Sequence, residues 1–156
     1  MLSAGNILLR RLNLSDSEGV ALLANNKKIS DHLRDIFPHP YGIKDAQYFI
    51  NSVINEDPQL TFGIECEGQF CGVIGLVPQK DVYCKSAEIG YWLGEPYWGR
   101  GIATIALGLI IEYGFKNLHL IRIYTGVFAG NELSIRVLEK NGSTDISRYS
   151  GMGKRF

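Results

Sequence analysis

Apolar residues recur along this chain with two different periods, and each change of period marks an element. Ile7 to Leu12 reads as a short strand ended by Asn13. Ser15-Asp16-Ser17-Glu18 has capping-box spacing, with Ser15 accepting from the third N–H of a helix and Glu18 reaching back, so a helix through Asn25 is predicted. From Lys27 to Tyr41 the chain is interrupted by Pro38 and Pro40, which allows a short helix and then an irregular loop. Ala46, Phe49, Ile50, Val53 and Ile54 form one stripe of a second helix, over Ile43 to Glu56.

At Leu60 the period drops to two. Phe62, Ile64 and Cys66 alternate with Gly63 and Glu65, and Glu67-Gly68 turns the chain into a further strand from Phe70 to Val77, making a hairpin. A fourth strand is predicted from Tyr83 to Leu93 and a fifth from Leu120 to Val127. Between them, Gly99 to Phe115 is apolar on most faces, as a helix buried against a sheet must be. A last helix runs from Asn131 to Asn141 and is closed by Gly142 at its C′ position. Strands and helices thus follow the order β-α-α-β-β-β-α-β-α, an α/β architecture.

Composition narrows the class. The 156 residues, 46% of them hydrophobic, suit one domain over 1–156 with an ample core. Sixteen basic against sixteen acidic residues leave no net charge, so neither nucleic acid nor an anionic membrane is an expected partner. The longest apolar uncharged run, Ile102 to Ile111, is half a bilayer span, and no secretory pattern opens the chain; a cytoplasmic protein is expected. Cys66, Cys71 and Cys84 show neither CxxC nor Cys/His metal spacing, so no metal site is expected and the thiols should pack within strands.

The most informative segment is Gly90 to Thr104, a strand, a turn dense in glycine and the start of an apolar helix. Gly99 and Gly101 can adopt backbone angles closed to other residues and admit a ligand to the main chain. The first N–H groups of the helix, at the positive end of its dipole, then face any anion held there. Gly-Lys-Ser/Thr, needed for a nucleotide-hydrolysing P-loop, is absent, and so is the Gly-x-Gly-x-x-Gly of a dinucleotide fold.

Trp98-Gly99-Arg100-Gly101-Ile102-Ala103 resembles instead the acyl-CoA pyrophosphate loop of the GNAT acetyltransferases, in particular their ribosomal-protein N-terminal acetyltransferase (RimJ/RimL-like) branch. Asn131-Glu132-Leu133-Ser134, followed by Val137-Leu138-Glu139-Lys140-Asn141-Gly142, is similar to that branch's second cofactor motif, and Pro40-Tyr41 with Asp45-Ala46 is a weaker match. The resemblance implies a mixed central sheet with splayed fourth and fifth strands, helices on both faces, and acetyl transfer from acetyl-CoA to an amine acceptor. It places the pyrophosphate on the backbone of Gly99, Arg100, Gly101, Ile102, Ala103 and Thr104, beside Trp98. Arg100 either adds charge there or is a solvated helix-start residue.

The same resemblance gives the main chain of Tyr91, Trp92 and Leu93 to the pantetheine arm. Asn131 bonds that arm across the splay, caps the last helix, or does both. Ser134 is the candidate proton donor to the leaving thiolate, with a surface serine as the alternative. Glu88 is a candidate general base, with an edge-of-sheet charge as the alternative. Arg34, Phe37 and Tyr41, in the loop expected to cover the acceptor, are candidate substrate contacts; for Phe37 the simpler role is packing. No histidine joins a nucleophilic triad, and direct transfer needs none.

The sequence departs from the family pattern at Ile105, where a Glu is usual, and at Ser143, where Phe is usual. Beyond Gly142 a polar tail stands in place of the two strands that family members carry. Two expectations follow from that tail. The chain is either an active N-acetyltransferase or an acyl-CoA-binding relative with little turnover. The fifth strand either pairs with a tail strand or joins a second copy, giving a homodimer through the strand-five edge or the C-terminal tail.

Overall fold

In a computed structural model, residues 1–31, 38–80 and 85–124 are described, together with the backbone of two short strands at 126–128 and 147–149. Six strands form one sheet in the order of the chain: β1 (Leu2–Ala4), β2 (Ile7–Arg10), β3 (Thr61–Cys66), β4 (Gln69–Pro78), β5 (Ser86–Leu93) and β6 (Arg122–Tyr124). Neighbours are antiparallel from β1 to β5, whereas β6 runs parallel to β5. Helices α1 (Ser17–Ala24), α2 (Lys27–Ser30) and α3 (Ile43–Val53) precede the β3–β4 hairpin, and α4 (Ile102–Lys116) joins β5 to β6.

Strand periodicity explains why helices cover both faces. Ile7 and Leu9, Phe62 and Ile64, Ile74 and Leu76, and Ala87 and Ile89 alternate toward α4, where they bury Ile102, Ala106, Leu107 and Ile110. Leu12, Val73 and, partly buried, Phe70 and Trp92 turn to the opposite face and close on Val20, Ala24, Ala46 and Ile50 of α1 and α3. A register shift at Ile64/Glu65 leaves Cys71 as the extra residue of β4, which brings it to the α4 side. Cys66 and Cys71 are buried in β3 and β4 as expected; burial, then the neighbouring Cys66, pushes the Cys71 thiol up to about 11. Cys84 lies outside the described residues.

The expected elements are present with several changes. An N-terminal strand, β1, turns through Gly5 (φ 59°) and pairs with β2, a hairpin that the short segment Met1–Asn6 did not announce. The Ser15–Glu18 capping box is replaced by one formed two residues earlier. Asn13 accepts from Ser15 N–H, and the Asp16 carboxylate accepts from Asn13 N–H at 2.9 Å. The expected fifth strand is divided: β6 pairs with β5, while β7 (Gly126–Phe128) pairs in parallel with β8 (Ser147–Tyr149) of the tail. The tail thus supplies a neighbour for β7, at the far end of that strand, whereas β6 is paired with β5 alone among the described residues. The helix expected over 131–141 falls outside the described residues.

Candidate functional site

Beyond Leu93 the chain makes a 3-10 turn at Glu95–Tyr97 and enters α4 through Trp98, Gly99, Arg100 and Gly101. Trp98 fixes the turn, its Nε1 donating to the Leu93 carbonyl oxygen at 2.7 Å while its ring packs on the α4-side core. Gly99 (φ 73°) and Gly101 (φ 76°) both adopt the left-handed conformation that a side chain disfavours. No described atom lies within 4 Å of where a Cβ would stand on either.

Gly101 is the N-cap of α4, with no side-chain cap and no acidic residue in the first turn. The helix ladder takes up Ile105 N–H, bonded to the Gly101 carbonyl at 3.3 Å. The preceding donors, on Ile102, Ala103 and Thr104, are those a helix directs outward. Arg100 is exposed, with its guanidinium 5.6 Å from the centre of the Tyr97 ring. Open space over two glycines, helix-end N–H groups and a nearby guanidinium together suit a pyrophosphate.

A parting of strands lies next to this cradle. β5 and β6 are paired at Ser86–Arg122, Ala87–Ile123 and Glu88–Tyr124; the chain beyond β6 then enters the separate β7–β8 sheet. Tyr91, Trp92 and Leu93 lie on β5 past this point. Leu93 is buried; Tyr91 is half-buried against the α4-side core, and Trp92 on the opposite face meets Phe70 edge-on at 6.2 Å. Glu88 stands at the last rung and is 8% exposed, on a strand with neighbours on both sides, so it is not the edge charge that the sequence allowed.

Adjacent asparagines at the end of α1 tie the following segment to the turn before the cradle. Asn25 Oδ1 accepts from Tyr41 N–H at 3.0 Å. Asn26 caps α2 by accepting from Lys28 N–H, and its Nδ2 donates to Glu95 Oε1 at 2.8 Å. Lys28 Nζ holds the other Glu95 oxygen at 2.8 Å, and these two partners keep the Glu95 carboxyl below its usual range. Leu23 presses on Gly94 so closely that a Cβ there would come within 2.8 Å. The end of α1, α2 and Tyr41 are thereby joined to the turn that leads into the cradle.

Tyr41, a candidate substrate contact, is 6% exposed within the α1–α3 core; burial and then the Asp45 charge push its hydroxyl up to about 12. Its described role is packing. Arg34, Phe37, Asn131 and Ser134 lie outside the described residues. Glu95 and the asparagine pair escaped the sequence reading, although Asn-Asn at a helix end was a visible capping signal.

The profile of the acetyltransferase (GNAT) domain matches residues 6–144. Spermidine N(1)-acetyltransferase of Escherichia coli K12 is 32% identical over 143 residues, which are 91% of this chain and 75% of that protein. Among solved structures, a GNAT-family acetyltransferase from Bacillus anthracis superposes with a TM-score of 0.78 at 25% identity, covering 91% of this chain and 82% of the other. Mycobacterium smegmatis RimJ, solved with CoA-disulfide, gives a TM-score of 0.75 at 24% identity over 88% of this chain and 70% of its own, a likeness of fold.

Proposed function

The chain belongs to the GNAT acetyltransferases, and from that premise we propose that it acetylates a primary amine directly from acetyl-CoA, both substrates being bound together. The open glycine cradle at the head of α4 carries this reading, because it joins the family's donor motif to space and N–H groups suited to a pyrophosphate. The donor supplies an activated acetyl carbon with a thiolate leaving group.

In this reading the backbone from Gly99 to Thr104 anchors the donor, with Arg100 adding charge. The main chain of Tyr91, Trp92 and Leu93, past the parting of β5 and β6, aligns the pantetheine arm, and Asn131 bonds it from the other side. Fixing both substrates contributes most of the rate, since the amine then needs no diffusional search. The amine nitrogen bonds to the acetyl carbon as the C–S bond breaks. Glu88, directly or through water, takes the proton that the nitrogen sheds, and the Ser134 hydroxyl protonates the thiolate.

The similarity to a spermidine acetyltransferase makes a small aliphatic polyamine the first acceptor to test, with a protein N-terminus as the second. Thiol release from acetyl-CoA, followed over a panel of polyamines, peptides, amino acids and amine antibiotics, tests the proposal. At least one amine should raise the rate well above hydrolysis and leave as its monoacetyl product; no amine doing so would contradict the proposal. With that amine, Ser134→Ala should lower kcat far more than it raises the acetyl-CoA KM. A change confined to KM would remove Ser134 from proton transfer.

A further inference from the structure

β4 and β5 come unusually close where β5 ends. Gly72 stands opposite Leu93 in the register, one residue after Cys71, the extra residue of the bulge. A Cβ on Gly72 would stand 2.3 Å from the Trp92 carbonyl oxygen and 2.9 Å from the Leu93 Cα, main-chain atoms that cannot swing aside as the end of a side chain does. On Gly75 of the same strand the nearest contact would be 3.2 Å, a distance that a small adjustment relieves. Gly72 is not among the positive-φ glycines, so the neighbouring backbone, rather than its own conformation, calls for glycine here. A bulge bends its strand and sharpens the local twist, and here it leans β4 onto the end of β5.

Two hydrogen bonds fix that end further. The Cys71 carbonyl accepts from Gly94 N–H at 2.8 Å, and the Leu93 carbonyl accepts from Trp98 Nε1 at 2.7 Å across the turn. The indole is itself packed on the α4-side core, so the second bond is a strut from an anchored ring to the last residue of β5. Trp92 to Gly94 is thereby seated on β4 from one side and braced from the other by the residue next to the glycine cradle.

A ligand that lies on both the cradle and β5 is sensitive to the spacing of the two. In the acetyl-transfer reading the pyrophosphate of the donor lies at residues 99–104 and its arm at 91–93. Each half raises the effective concentration of the other only when the two surfaces stand at the right separation. Where the strand end drifts from the cradle, binding of the whole ligand must restore the spacing and is weakened, while a ligand held by the cradle alone is unaffected.

We propose that Gly72 and Trp98 are positioning residues for the donor: the close approach at Gly72 and the strut from Trp98 set the end of β5 at the spacing from the cradle that CoA requires. Neither acts by touching the pantetheine arm. The assignment rests on the donor site proposed above and adds to it the two residues that hold its halves in register.

Trp98→Phe keeps an aromatic ring on the core and removes the N–H, whereas Gly72→Ala adds the methyl group that would displace the Trp92 carbonyl. Calorimetry on each folded variant compares two ligands: CoA, and ADP bearing the ribose phosphate of CoA, which has the pyrophosphate but no arm. In both variants CoA should bind about three- to tenfold more weakly than to wild type, while the nucleotide half binds within about twofold. A merely structural fault would lower both affinities alike. Trp98→Phe decides the matter if Gly72→Ala does not fold. Unchanged CoA affinity in Trp98→Phe, or an equal loss for the two ligands, would overturn the proposal. A wild-type protein that binds neither ligand would instead overturn the donor site, so the two failures are distinguishable.

Discussion

Asp16 shows how much one side chain settles at the start of the molecule. Its carboxylate closes the box on Asn13 N–H and takes a bidentate grip from Arg10, at 2.8 and 3.0 Å, while Arg10 Nε holds Glu65 at 2.6 Å. One cluster thus ties β2, the entry to α1 and β3 together. Burial pushes the Asp16 carboxyl up, but hydrogen bonds from Arg10 and from Asn13 N–H outweigh it and hold the group below its ordinary value. Its stabilising effect is therefore complete above the unfolded-state value, about 3.9, and is lost as pH falls through the lower folded value. Asp16→Asn should cost about 1.5–3 kcal/mol near neutrality, and this gap should narrow as pH falls below the unfolded-state value of about 3.9. Urea unfolding of both proteins across that range checks it; a gap independent of pH would show that charge at residue 16 is unimportant. The sequence pointed to Ser15 and Glu18 because local spacing favours them, and the competing pull of Arg10 is a tertiary fact that spacing does not contain.

Among the elements, α2 depends most on its neighbours. Four residues are too few for a self-sustaining helix, and the exposed Lys28–Glu95 pair adds little by itself. The Asn26 cap and its bond to Glu95 orient the turn, and Asn25 holds Tyr41 where the chain returns. If the 31–41 connection covers the acceptor, Glu95 is a positioning residue. Glu95→Ala should then raise the acceptor KM about three- to tenfold, with CoA affinity nearly unchanged. Glu95→Gln, which keeps an acceptor for Asn26 Nδ2, should restore most of the affinity. Steady-state kinetics with the acceptor varied would count against the role if all three proteins shared one KM. The existence and order of these elements were legible, since Pro38, Pro40 and the changes of period survive any packing. The clamp was not, because Glu95 lies far from Asn26 in the chain and only the fold brings them together.

For the molecule as a whole, a sheet coated on both faces and the parting of β5 from β6 are the features that make a site. Alternation along the strands and the apolar character of Ile102 to Ile111 disclosed the first. The second was implied by resemblance alone, because nothing local in Leu120 to Val127 says that it divides between two sheets. The glycine turn was the most legible part: positive φ at Gly99 and Gly101, open space above them among the described residues and an α4 without a side-chain cap are what Trp98-Gly99-Arg100-Gly101 led one to expect. The central claim, that CoA is held there, is tested most directly by calorimetric titration of CoA into wild type and Gly101→Asp. Aspartate tolerates a left-handed backbone better than most residues and places a carboxylate where the pyrophosphate belongs. Wild type should bind CoA and the folded variant at least about tenfold more weakly, a loss of about 1.4 kcal/mol. Equal affinity for CoA in a folded Gly101→Asp protein would contradict the account.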